Sequence, residues 1–228
     1  PRTINPRKQK IRVFKNWINS QGIEGAHVNY LIDDLRDGTI LLKVIDKLRP
    51  GVVDWKKYSD KLHSRIHIIQ NCNFVVDICK DKLKAVLVNI GGVDIVDGKV
   101  SLTLGVVWQL CKLYWEERVG VINEEKLVTW ANAKYQSVQV KNFKDKAIHN
   151  CQFLLHLIES IKPNTVDFTR VPKGETEEEV VSRINFTIST ARKLGCEIIA
   201  LWEHVKEGNI RYVSLIVAEL EHRARTAN

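Results

Sequence analysis

"HSRIH", residues 63–67, places His63 and His67 at i and i+4, a spacing that puts two imidazoles on one helix face and could grip a transition metal. The glutamate of HExxH is missing, so the pair does not read as a zinc site. "DIVDG" (94–98) lacks the alternating acids and the distal glutamate of a calcium loop. Gly91-Gly92 is no phosphate cradle and better suits a tight turn before the last helix of the first copy. The five cysteines (Cys72, Cys79, Cys111, Cys151 and Cys196) form no CxxC pair, and five is odd. They read as neither a disulfide framework nor a zinc cluster, and suit a reducing compartment. No nucleophile, base and orienter declare themselves as a set. The reading is a non-enzyme with no catalytic residue, cofactor or metal.

Charge is the chemistry that remains. The 228 residues carry a formal +8, which favours an acidic partner. Residues 1–120 hold 20 Lys+Arg against 13 Asp+Glu, whereas residues 121–228 hold 15 against 14. The charge therefore belongs to the first half. Six bases (Arg2, Arg7, Lys8, Lys10, Arg12, Lys15) fall in the first fifteen residues with no acid among them, as an arm that docks on an acidic surface would. A helix over 8–20 that buries Phe14, Trp17 and Ile18 leaves Arg12, Lys15, Asn16 and Asn19 outward. "WKKYSDKLHSR" (55–65) adds Lys56, Lys57, Lys61 and Arg65. In the second half, Lys141, Lys144 and Lys146 are the matching, weaker candidates.

The elements that must position these charges occur twice. "FKNWINS" (14–20) resembles "LVTWANA" (127–133), and "LLKVIDKLRPGVVDW" (41–55) resembles "LLHLIESIKPNTVDF" (154–168), both offset by 113. "NFVVDICK" (73–80) matches "NFTISTAR" (185–192) at 112, and the last helices align at 110. Four segments in one order with slowly drifting offsets mark two copies of one fold of about 110 residues. The domain reading is 1–118, with its basic arm, and 119–228. Both copies read as all-α: helices over 8–20, 38–48, 65–81 and 101–116, then 123–137, 147–161, 176–193 and 209–224. "TEEE" (176–179) is a capping box, with Thr176 as N-cap and Glu179 at N3. Gly120 is a hinge candidate in the short linker.

"LTLGVVWQLCKLYW" (102–115) is the most apolar stretch; it is too short to cross a bilayer and carries Lys112. With no apolar leader at the N-terminus, the reading is a soluble cytosolic protein. On a helical wheel, Ser101, Gly105, Gln109, Lys112 and Glu116 form one polar stripe. Offset by 110, Val106, Val107 and Leu110 meet Ile216, Val217 and Leu220, so that flank is core in both copies. Leu104, Trp108, Cys111 and Trp115 meet Ser214, Ala218, Glu221 and Arg225, so this second flank is apolar in the first copy alone. Three readings stay open for it: packing inside its own domain, packing on the other domain or linker, or contact with a partner.

"VFKNWINS", "DLRDGTILLKVIDKLRPGVVDW" and "LTLGVVWQL" resemble the calponin-homology domain, here as a tandem pair over essentially the whole chain. "NCNFVVDICK", "LVNIGGVDIVDG" and "NFKDKAIHNCQFLL" are similar to the fimbrin/plastin group, in particular its C-terminal tandem. The resemblance implies two bundles, each of about four main helices plus short ones. It implies F-actin binding along the filament side, with the first domain dominant, as one half of a bundling protein of the actin cytoskeleton. Whole fimbrins carry two tandems and EF-hands, so this chain is expected to be a monomeric fragment that works beside other domains. The implied contact residues are Arg12, Lys15, Asn16, Asn19, Lys56, Lys57, Leu104, Trp108, Gln109, Lys112, Trp115, Glu116, Lys141 and Lys144. "WEHV" (202–205) and the ending "AELEHRAR" depart from the family pattern and leave details of the second domain open. The alternatives are a calponin-homology scaffold with little actin affinity, or a basic module for nucleic acid or acidic lipid. Neither nucleic-acid recognition motifs nor aromatic–basic alternation support the latter, and no membrane insertion is expected.

Overall fold

The computed structural model describes residues 5–226. These residues hold helices and turns and no strand. They divide into two compact units, one through Arg118 and the other from Val119.

The first unit opens with α1 (Pro6–Ser20), whose start is set by Asn5: its side chain accepts from the Arg7 amide at 2.9 Å, and Pro6 follows at the position where a missing N–H costs nothing. α2 (Leu31–Asp34) is a single turn, and α3 (Thr39–Leu48) is the central helix, with Leu41, Leu42, Val44 and Ile45 fully buried. A 3-10 turn (Trp55–Lys57) follows the Pro50-Gly51 break. α4 (Arg65–Asp77) does not run on to 81 as one α-helix, as the sequence predicted; it widens into a π-helix over Ile78–Lys82. α5 (Gly92–Val96) packs on α4, and α6 (Val100–Val119) closes the unit.

The Gly91-Gly92 pair leads into α5 rather than directly into the last helix, and Gly92 serves close approach. A Cβ at Gly92 would stand 2.4 Å from the Asn73 amide, so only glycine lets α5 lie this near α4. The Gly92 N–H donates to Asn73 Oδ1 at 3.1 Å.

The second unit repeats this plan with α7 (Glu124–Lys134), α8 (Lys146–His149), α9 (Gln152–Ile161), α10 (Glu177–Lys193), α11 (Trp202–Lys206) and α12 (Ile210–Thr226). A 3-10 turn (Phe168–Arg170) stands where the first unit has Trp55–Lys57. The helix predicted over 147–161 is two helices. Cys151 sits between them at φ +61°, a left-handed conformation that no helix interior accommodates. At α10 the Glu179 amide donates to Thr176 Oγ1 at 3.2 Å, which is half of the predicted capping box. The other half is displaced by one residue, because the Glu179 carboxylate accepts from the Glu175 N–H.

The flank predicted as common core is buried in both units: Val106, Val107 and Leu110 in α6, Ile216, Val217 and Leu220 in α12. Gly120 follows α6 at φ +83°.

Candidate functional site

α1 turns Val13, Phe14, Trp17 and Ile18 inward, and its outer row carries Lys8, Arg12 and Asn16, all exposed. α6 is fastened to it by rings. Phe14 and Trp108 centroids lie 6.4 Å apart, Trp17 and Tyr114 6.0 Å apart, and Tyr114 meets Trp115 edge-on at 5.1 Å. The polar stripe of α6 points outward as predicted, with Ser101 and Lys112 exposed and Gln109 and Glu116 half-buried. Gly105 lies in the same row, where a Cβ would press on Ile90 at 3.3 Å. The α1 face with Arg12 and Asn16 and the α6 stripe with Gln109, Lys112 and Glu116 both belong to the first unit, on helices joined by these ring contacts.

The apolar flank of α6 is not open surface. Leu104, Cys111 and Trp115 are 6%, 0% and 2% exposed. Trp108 is half-buried against Phe14. Leu104 and Trp115, both among the expected contact residues, therefore lie beneath the face and support it. Asn19 is also committed. Its Nδ2 donates to the Val28 carbonyl at 2.9 Å, and its Oδ1 accepts from the Val28 N–H at 2.7 Å. Asn132 brackets Val140 in the same way in the second unit, at 2.9 and 3.0 Å. A residue that performs the same loop clamp in both copies is part of the fold.

Other candidates have partial duties. Lys15 Nζ donates to the Asn29 carbonyl at 3.0 Å, yet the side chain remains half-exposed. Lys112 faces Glu116 at 3.5 Å across one helical turn, an exposed pair that contributes little to stability. Lys56 and Lys57 stand exposed on the 3-10 turn, with the Lys57 ammonium 6.0 Å from the Phe74 ring. That turn is anchored by Asp54, which caps Lys56, and by the Trp55 indole donating to Asp46 at 3.3 Å. An Arg49–Glu117 ion pair ties the start of this loop to α6. Lys141 and Lys144 are exposed on the loop after α7, in the second unit.

Burial pushes the Cys72, Cys79, Cys111 and Cys151 thiols up to about 12, so each stays protonated at neutral pH. Among the described residues no group of His, Cys, Asp and Glu is arranged to hold a metal ion, and no helix is long and apolar enough to cross a membrane.

Two all-helical units of matching order, each closed by a long helix behind a short one, define a tandem of small helical domains. The profile of the calponin homology (CH) domain matches residues 8–115 and 122–226, and the chain belongs to that family. It is 35% identical to fimbrin-3 of Arabidopsis thaliana over 223 residues, which is 92% of this chain and 31% of that protein. It is 34% identical to plastin-3 of Danio rerio over 228 residues, or 93% of this chain and 36% of that one. The actin-crosslinking core of Schizosaccharomyces pombe fimbrin superposes with a TM-score of 0.77 at 32% identity, covering 96% of this chain and 48% of that one. The chain thus spans about a third of the length of these curated relatives.

Proposed function

We propose that this tandem binds the side of the actin filament, mainly through its first domain, as one of two filament-binding halves of a cytosolic fimbrin-like bundling protein. The observation that carries this reading is the likeness, across 96% of the chain, to the actin-crosslinking core of a fimbrin. The contact face would be the outer sides of α1 and α6: Arg12, Lys15, Asn16, Gln109, Lys112 and Glu116, with Trp108 at its edge. Lys56 and Lys57 extend it, and Lys141 and Lys144 add weaker contacts from the second domain. Leu104, Trp115 and Asn19 hold the helices and loop beneath. Lysine and arginine on such a rim speed encounter with an acidic filament and confer salt sensitivity more than affinity.

High-speed co-sedimentation with F-actin at rising salt tests the proposal. The monomeric chain should pellet at low salt and progressively less as salt screens the face. Lys15→Glu combined with Lys112→Glu should weaken pelleting at least about tenfold while leaving the melting temperature unchanged, because both are surface sites whose reversal costs little stability. Absence of pelleting at low salt would sink the proposal, and unaltered pelleting of the double variant would reject this face. The chain alone should not bring filaments down at low speed; if it does, one filament site is too few.

A further inference from the structure

The segment that follows α4 departs from regular geometry more than its counterpart does. α4 widens into the π-helix Ile78–Lys82, an uncommon form that is frequent at functional sites. Lys84 and Asn89 then adopt positive φ, +55° and +53°. Asparagine tolerates that conformation, but a lysine is strained in it, and such strain persists where the surrounding structure imposes it. In the second unit the helix simply ends at Leu194 and turns through Gly195.

Between these two positive-φ residues the chain presents Val86 and Val88, 69% and 68% exposed, while Leu87 between them is 9% exposed and anchors the loop. Val93, at the start of α5, is 43% exposed. Lys80, Lys82 and Lys84 are exposed beside them. None of the three is in an ion pair among the described residues; Lys80 only reaches the Ile90 carbonyl at 3.4 Å. Asp81 is the sole acid between 78 and 93.

We propose that this loop is a docking surface for an anionic lipid bilayer, with Val86 and Val88 entering the headgroup boundary and Lys80, Lys82 and Lys84 meeting the acidic headgroups. The chemistry favours a bilayer over a protein partner. Protein interfaces concentrate Trp, Tyr and Arg in shaped pockets and are poor in lysine. Here the apolar groups are small, and they stand out of a loop whose middle residue is tied down. A fluid bilayer demands no matching shape, and flexible lysines suit its diffuse negative charge. Its residues are distinct from those proposed for the filament face, although Ile90 sets the end of the loop beside Gly105 of the α6 stripe, so the F-actin control in the test is essential.

Co-sedimentation of the protein with phosphatidylcholine vesicles, with and without phosphatidylserine, tests the proposal. Binding should require phosphatidylserine and decline with salt. Each lysine near an anionic surface contributes about fivefold in affinity, so Lys82→Glu with Lys84→Glu should weaken binding by at least about 25-fold. Val86→Asp with Val88→Asp should abolish it while F-actin pelleting stays unchanged. All four positions are on the surface, so melting temperatures should hold; if the valine variant unfolds, the lysine pair decides. The proposal is overturned if phosphatidylserine vesicles are not bound at low salt. It is equally overturned if both double variants bind like the parent, which would move lipid binding to the basic run of α1. Loss of filament pelleting in the valine variant would overturn it too, assigning the loop to a protein partner.

Discussion

Trp17 and Trp130 occupy the same place in the two domains and have different fates. Trp17 is fully buried, with Tyr114 of α6 6.0 Å away, whereas Trp130 is only half-buried. The cause lies in the partner helix. At the offset of 110 that aligns α6 with α12, Tyr114 becomes Ala224 and Trp115 becomes Arg225, so at these two positions α12 has no aromatic ring to lay over the indole. The copies share an inner flank and differ in how much aromatic mass their last helix lays across the first. The same tryptophan is thus a full core residue in one domain and a partial one in the other.

The sharpest way to break this comparison is to delete both indoles. Trp17→Ala should cost about 3–5 kcal/mol, the usual range for emptying a large aromatic site. Trp130→Ala should cost less than about 2 kcal/mol, since a half-buried ring has less surface to return to water. Urea midpoints of the two variants check this, and equal costs would show that exposure is not what separates the sites.

The duplication made most of this legible from sequence alone. It located the core flank Val106/Val107/Leu110, the polar stripe of α6 and the helical order, because a 3.6-residue apolar rhythm has one physical solution. Besides the π-helical end of α4 and the shifted capping box, three things escaped it. Asn19 looked like an outward polar residue, but its partner is a backbone group nine residues on in a loop, beyond any helical rhythm. The signal was present in the copy, since Asn132 aligns with it. The fate of Leu104 and Trp115 depended on neighbouring helices, and periodicity reports which residues are apolar, not what covers them. The break at Cys151 was also signalled, for Gly38 stands 113 residues earlier.

That last pair offers a second, smaller test. Gly38 leads into α3 at φ +79°, and Cys151 leads into α9 at φ +61°. A Cβ on Gly38 would lie 3.2 Å from the backbone of Asn71 and Cys72. Gly38→Ala therefore combines left-handed strain with a tight contact, and should cost about 2 kcal/mol or more. In the second copy the backbone already carries a side chain there, and it is buried. Cys151→Gly relieves about 1 kcal/mol of strain but gives up a similar amount of packing, so its stability should stay within about 1 kcal/mol of the parent. If both substitutions prove equally harmful, the two turns do not differ in the way their φ values and neighbours indicate.

The smallest contrast lies in the turns after α3 and α9. Asp46 accepts from the Gly51 N–H at 3.1 Å and from the Trp55 indole. Glu159, its counterpart, accepts from three successive amides, Asn164, Thr165 and Val166, at 2.6, 3.1 and 2.8 Å. Those bonds, with the one from Val166 foremost, hold the Glu159 carboxyl below the ordinary glutamate range. A carboxylate depressed in the folded state adds stability that is complete above its unfolded pKa and is lost as pH falls through the folded one. The second domain should therefore lose stability on acidification below about pH 4.3, the ordinary glutamate value. The loss should be modest, because the group is partly solvated and water screens it. Glu159→Gln should be less stable than the parent at neutral pH and should converge with it under acid, keeping only the slope due to other depressed carboxylates such as Asp167, held low by the Thr169 hydroxyl. Melting temperatures across the acid range read this directly. Parallel curves for parent and variant would mean that the three amides bind the glutamine oxygen as well as they bind the carboxylate, and that charge contributes nothing to this turn.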